Sequence, residues 1–249
     1  MKTLKTTKQL LLAALSVISC ATAAIGSYQE NLSSYKVGSS LYSSNGPWIK
    51  FGSGKTKQPA ANTATVREQD GIRYISLVAV GDNSINARAF RKVSLPVSAT
   101  TNNEISADIR YDSPGTPSDV KSLSTITLQA QKDGTYDAAS SLTFGLSKEG
   151  FLVRLGHGNR LESKAGGIKV DPNAWYRFVI RLTPETGKAS FSVYKLNAGQ
   201  QELVWEGDNL GLPKFSPKEF FSINLNVARP GRSPDQKKSS DFANITVGP

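Results

Sequence analysis

Residues Ala174–Leu196, AWYRFVIRLTPETGKASFSVYKL, alternate apolar and polar positions with period two. Tyr176, Phe178, Ile180 and Leu182 share one face, and Trp175, Arg177, Val179 and Arg181 share the other. Pro184-Glu185-Thr186-Gly187 supplies a turn, after which Ala189, Phe191 and Val193 resume an apolar face. Alternation punctuated by Pro and Gly predicts an antiparallel hairpin with one face in a core. The Trp175/Arg177/Arg181 face has no acid or histidine tied to it by sequence and reads as an outer sheet face.

Similar short segments recur along the chain: Tyr28–Val37, Pro47–Phe51, Arg73–Val80, Ala87–Leu95, Asn103–Asp112, Ser124–Gln131, Ser141–Leu146, Phe151–Leu155, Glu202–Glu206, Phe220–Ala228 and Phe242–Val247. Gly52–Asn62, Ser113–Ser118, Gly156–Lys169 and Pro230–Ser240 read as loops. Nothing sustains a helical period, although Phe215–Phe220 has room for one turn. About a dozen short strands without a long helix predict an all-β fold, a two-sheet antiparallel sandwich of the jelly-roll kind.

The first 24 residues stand apart from this rhythm. Lys2, Lys5 and Lys8 precede the apolar run Leu10–Ile18, and Ala21-Thr22-Ala23 fits a cleavage site, so residues 1–24 read as an export signal and 25–249 as one domain. The expected location is outside the cytoplasm: extracellular, periplasmic or cell-surface. Cys20, the only cysteine, lies inside the signal. One reading removes it with the signal, and a second makes it the lipidated first residue of a lipoprotein. Either way no disulfide staples the domain, which must rely on a core. Losing the three signal lysines lowers the formal charge from +10 to +7. That balance suits an anionic polymer or a merely solubilising surface. No other apolar run is long enough to span a membrane. Nucleic acid is not expected, because no aromatics interleave with the basic residues.

The opening segment Glu30-Asn31-Leu32-Ser33-Ser34-Tyr35 with Gly38, the late WYRFVIRL…GKASFSVYKL hairpin and the last strand Asp241–Val247 together resemble the concanavalin A-like lectin/glucanase superfamily, in its laminin-G-like bacterial secreted branch. The resemblance implies a jelly roll of two curved sheets that binds or cleaves carbohydrate. It also implies a structural calcium between the first and last strands, for which Glu30 and Asp241 are the candidate ligands.

Catalytic patterns are incomplete. Glucanases of the superfamily carry three acids at alternate positions of one strand. Here Glu104-Ile105-Ser106-Ala107-Asp108 puts Ser106 in the middle, with outer α-carbons about 13 Å apart. Alginate-lyase-type enzymes use Arg, Gln, His or Tyr, and Tyr. Arg110, Gln129, His157 and Tyr194 supply those residue types but not the motifs around them. Acyl-transfer and transition-metal chemistry lack the residues they need, with no mature cysteine, no GxSxG and one histidine.

Polar strand faces remain. Glu104, Asp108 and Arg110, Gln129 and Gln131, and Asn224 and Asn226 form hydrogen-bonding rows suited to sugar hydroxyls, and are the candidate ligand-binding residues. Trp48, Trp175 and Trp205 are read as packing residues before platforms. The expected function is a non-catalytic, exported module that binds carbohydrate or an anionic surface polymer. A polysaccharide-degrading enzyme, lyase before hydrolase, and a structural envelope protein are the alternatives.

Overall fold

A computed structural model describes residues 27–42, 46–50, 62–80, 86–97, 103–112, 122–132, 135–147, 150–156, 159–162, 170–183, 188–198, 200–208, 219–228, 230 and 236–248. The export-like segment with Cys20, the loop residue His157 and most of the Phe215–Phe220 stretch lie outside these residues. Among the described residues there is no α-helix, and no helix long and apolar enough to cross a membrane.

Strands are numbered in chain order. One sheet runs β13 (Gln200–Gly207), β12 (Lys188–Asn197), β11 (Trp175–Thr183), β6 (Asn103–Tyr111), β15 (Lys237–Gly248), β4 (Ile72–Val80) and β3 (Thr63–Gln69), with β1 (Tyr28–Gln29) beside β15. The other runs β10 (Asn159–Glu162), β9 (Gly150–Leu155), β8 (Thr135–Ser147), β7 (Ser122–Lys132), β14 (Glu219–Val227), β5 (Ala87–Pro96) and β2 (Trp48–Lys50). Pairing is antiparallel in both sheets, giving the expected two-sheet sandwich.

Period-two alternation sets which face is buried. On β11, Tyr176, Phe178, Ile180 and Leu182 are all buried, as the hairpin pattern predicts, and on β6 so are Ile105, Ala107 and Ile109. Facing them are Ile126 and Leu128 of β7, Phe144 and Leu146 of β8, and Ile223 and Leu225 of β14. Aromatic edges interlock in this layer: Phe151 meets Tyr176 at 5.0 Å and Phe178 at 6.0 Å between ring centroids, both edge-on.

Several elements differ from the sequence reading. The opening segment extends only over Tyr28–Gln29, because Asn31 then caps a 3-10 turn (Leu32–Ser34) with its Oδ1 accepting from the Ser33 amide at 2.9 Å. Strand β3, TATVREQ, is hidden in the sequence because its inward face carries only the modest apolar residues Ala64 and Val66. The stretch Gly156–Lys169, read as loop, contains β10. Strand β15 begins five residues before Phe242, at polar positions that pair with β4.

Two packing constraints yield measurable consequences. Gly145 of β8 has φ 148°, and a Cβ there would sit 2.1 Å from the Ser124 carbonyl oxygen. Gly145→Ala is therefore expected to cost about 3 kcal/mol or more, read as a lower urea midpoint. Gly71→Ala, at φ 76° with open space around it, serves as the milder control at about 1 kcal/mol. Lys238 is 4% exposed, and burial lowers its pKa from 10.5 to about 8 against the opposing pull of Asp112. Between those values the unfolded chain binds more protons, so stability should rise with pH from about 8. Above pH 10 the buried hydroxyls of Tyr28 and Tyr42, pushed up from 10.0, reverse the trend. Lys238→Met should flatten the rise in thermal melts across that range.

Candidate functional site

The outer face of the eight-stranded sheet carries a lattice of charge pairs set by register. Arg177 of β11 lies opposite Asp108 of β6, and Arg181 lies opposite Glu104. Arg177 donates Nε to Asp108 Oδ1 at 2.7 Å and Nη2 to Oδ2 at 2.8 Å, a two-pronged charge-assisted pair. Arg181 reaches Glu104 at 3.0 Å with both side chains about half exposed, so this pair contributes little. On the other side of β6, Arg110 opposes Asp241 of β15 and donates to its Oδ2 from Nε at 2.9 Å and Nη2 at 2.7 Å. Burial raises the Asp241 pKa, and the bonds from Arg110 and Ser76 pull it back.

Arg110 also lies flat against an aromatic corner. Its guanidinium is 4.5 Å from the Trp175 ring centroid and 5.2 Å from that of Tyr74, while the two rings meet edge to face at 5.7 Å. Around this corner is a depression of about 460 Å³. Its floor includes Ala243, whose small side chain sits between Asp108 and the aromatic corner. Polar side chains rim it: the Gln69 amide and the Asp70 carboxylate from the β3–β4 turn, the Asn173 amide ahead of β11, and the Gln200 and Gln201 amides where β13 begins. The Trp175 indole N–H and the side-chain amides of Asn173, Gln200 and Gln201 have no hydrogen-bond partner among the described residues. The guanidiniums and Asp108, by contrast, are paired. Such a site offers an aromatic surface and neutral donors and acceptors more than unpaired charge.

The structure divides the residues expected to bind ligand. Glu104, Asp108 and Arg110 lie on β6, and Asp108 and Arg110 line the depression. Gln129 and Gln131 of β7 and Asn224 and Asn226 of β14 lie on the other sheet. There they form their own network: Ser222 donates to Gln129 at 2.7 Å, Gln131 to Glu219 at 3.3 Å, and Arg88 to Asn226 at 3.3 Å. No single groove holds all seven. The same division separates Arg110 and Tyr194 from Gln129, three of the four residue types a lyase would bring together.

The Trp175/Arg177/Arg181 face is the outer sheet face expected, and the partner acids that the sequence did not tie to it, Glu104 and Asp108, stand beside it on β6. Their sequence distance hid the pairing, yet both rows were visible as alternating polar faces. Among the other tryptophans, Trp48 is fully buried, and Trp205 stacks on Phe151 at 6.0 Å.

The residues suggested for calcium do not fit that ion. Glu30 is 7% exposed, and its Oε2 accepts from both Tyr28 and Arg91. Arg91, between the Tyr28 and Trp48 rings, supplies the positive charge there. Asp241 is held by Arg110, and among the described residues no three His, Cys, Asp or Glu side chains cluster. Two carboxylates each neutralised by its own guanidinium leave no acidic cage for a divalent cation. Thermal melts with and without a chelator are expected to coincide.

No sequence-family model matches the chain, and no curated protein matches it. Among solved structures it is similar to the catalytic domain of a glycoside hydrolase family 131 protein from Coprinopsis cinerea, with TM-score 0.53 and 12% identity over 88% of this chain and 92% of that one. The shared fold is a two-sheet antiparallel jelly roll. Lectin II from Ulex europaeus is a looser likeness, with TM-score 0.49 and 8% identity over 91% of this chain and 99% of that one. At such identities the likeness establishes the fold and nothing about activity.

Proposed function

We propose that this chain is an exported, non-catalytic carbohydrate-binding module of the laminin-G-like bacterial type, and that it holds its glycan in the depression around Trp175. The reading rests on one observation: a partly exposed indole with an unpartnered N–H sits among the unpartnered amides of Asn173, Gln200 and Gln201, while Arg110, Arg177 and Asp108 are already paired. A sugar ring presents a C–H face to such an aromatic surface and hydroxyls to the amides around it. Two carboxylates, Asp70 and Asp108, balance two guanidiniums, Arg110 and Arg177, in the lining. A neutral glycan therefore suits the depression better than an anionic polymer, despite the basic chain.

A degrading enzyme draws less support. Hydrolysis needs one carboxyl as acid and a second as base or nucleophile. Asp108 is already engaged by Arg177 at both oxygens and by Asn244 Nδ2 at 2.7 Å, which leaves Asp70 as the one uncommitted carboxylate in the lining.

Affinity electrophoresis through soluble neutral polysaccharides tests the proposal. Wild-type protein should be retarded by at least one of them without shortening it. Trp175→Ala should weaken retention at least about tenfold, equivalent to roughly 1.4 kcal/mol. Equal retardation of Trp175→Ala and wild type would place binding elsewhere, and release of new reducing or unsaturated ends would make the protein an enzyme.

A further inference from the structure

A second depression, of about 350 Å³, lies beside the first and is lined by Glu30, Leu32, Ser33, Gly71, Arg73 and Asn244, with Ile72 common to both. Ile72 is 47% exposed, one of the few large apolar side chains on the described surface, and it stands as a ridge between the two. A second link is the Asn244 side chain. Asn244 lines the second depression and donates Nδ2 to Asp108 Oδ2, in the wall of the first, at 2.7 Å.

That link requires an unusual backbone. The register between β15 and β6 shifts between Ala243 and Thr246, and Asn244 has φ 49°. A bulge in the middle of a sheet re-aims a side chain, and a left-handed non-glycine residue carries a conformational cost that local contacts must offset. Here the bulge turns an exposed amide across the boundary between the depressions. Asn244 Oδ1 has no partner among the described residues. At the inner wall, Glu30 Oε1 is likewise without a hydrogen-bond partner. The rim is held by Arg73, whose Nη1 donates to the Ser33 carbonyl at 2.7 Å and the Tyr35 carbonyl at 3.2 Å while Nε bonds Glu68 at 2.8 Å.

We infer that the two depressions are successive subsites for the interior of one neutral polysaccharide chain, which crosses Ile72 and contacts Asn244. This extends the proposed binding at Trp175 and rests on that reading. An aromatic corner, an apolar ridge and a hollow with the polar groups of Asn244, Ser33 and Glu30 in sequence match the repeating C–H faces and hydroxyl edges of a glycan chain. A monosaccharide would occupy only the first. The ligand class is thus a polymer of neutral sugars bound along its length rather than at its end.

The probes are neutral oligosaccharide ladders, cello-, xylo-, manno- and laminari-series from monosaccharide to hexasaccharide, titrated calorimetrically against the full chain. Wild-type affinity should rise at least about tenfold between disaccharide and hexasaccharide in the series that binds. Ser33→Tyr, an exposed change that fills the second depression, should remove that rise while leaving disaccharide affinity within about twofold. Asn244→Gly should act in the same direction, because glycine accepts the left-handed backbone and the fold is kept. Trp175→Ala should weaken every length. A flat wild-type length dependence, or a rise that survives Ser33→Tyr, would overturn the second subsite while leaving the first intact. If no ladder member binds, or binding ignores Trp175→Ala, the reading at Trp175 fails and the extension with it.

Discussion

Strand β6 is clamped between β11 and β15 in a register that a shift of one residue would invert. In the observed register Ile105, Ala107 and Ile109 enter the core, while Glu104, Asp108 and Arg110 each meet an opposite charge on a neighbouring strand. Slipped by one, the same strand would bury two acids and an arginine and expose its apolar row. Apolar burial is the larger part of this preference. The charge pairs add discrimination, since each cation has one acid within reach in only one alignment.

That alignment also builds the depression. Trp175 comes beside Arg110 because β11 and β6 are neighbours, and Ala243 falls beside Asp108 because β15 lies on the far side. Pairing the arginines with buried acids has a desolvation cost that their mutual bonds offset only in good geometry. The two-pronged Arg177–Asp108 contact and the doubly donating Arg110 meet that condition. With their charges satisfied within the protein, these groups shape the surface rather than attract ions to it. The chain's excess of basic residues over acidic ones therefore says little about what occupies this depression.

Fold class was legible because alternation is a local signal. Phe178 and Ile180 announce a buried face within a few residues, whatever lies across from them. The quieter strand β3, with Ala64 and Val66 as its inward apolar side chains, gave no such signal. Site assembly was less legible, because it depends on which strands become neighbours. Asp108 and Arg177 are 69 positions apart in the chain, and neither predicts the other without the sheet order. The same ignorance placed Gln129 and Asn224 in one groove with Arg110, although the core lies between their sheets. Glu30 and Asp241 were singled out as calcium ligands near the two ends of the domain, but the arginines that hold them come from β5 and β6.

The position of β15 bears on when this surface comes into being. The last described strand is an interior member of its sheet, between β6 and β4, with β1 joined to it as well. During synthesis the earlier strands of that sheet must therefore wait with a gap between them. Asp241, Ala243 and Asn244 follow the other strands of the sheet together, completing the core seam and the depression in one event. Long-range closure of this kind is slow, and a chain clipped before β15 would lose the core seam and the depression at once rather than one after the other.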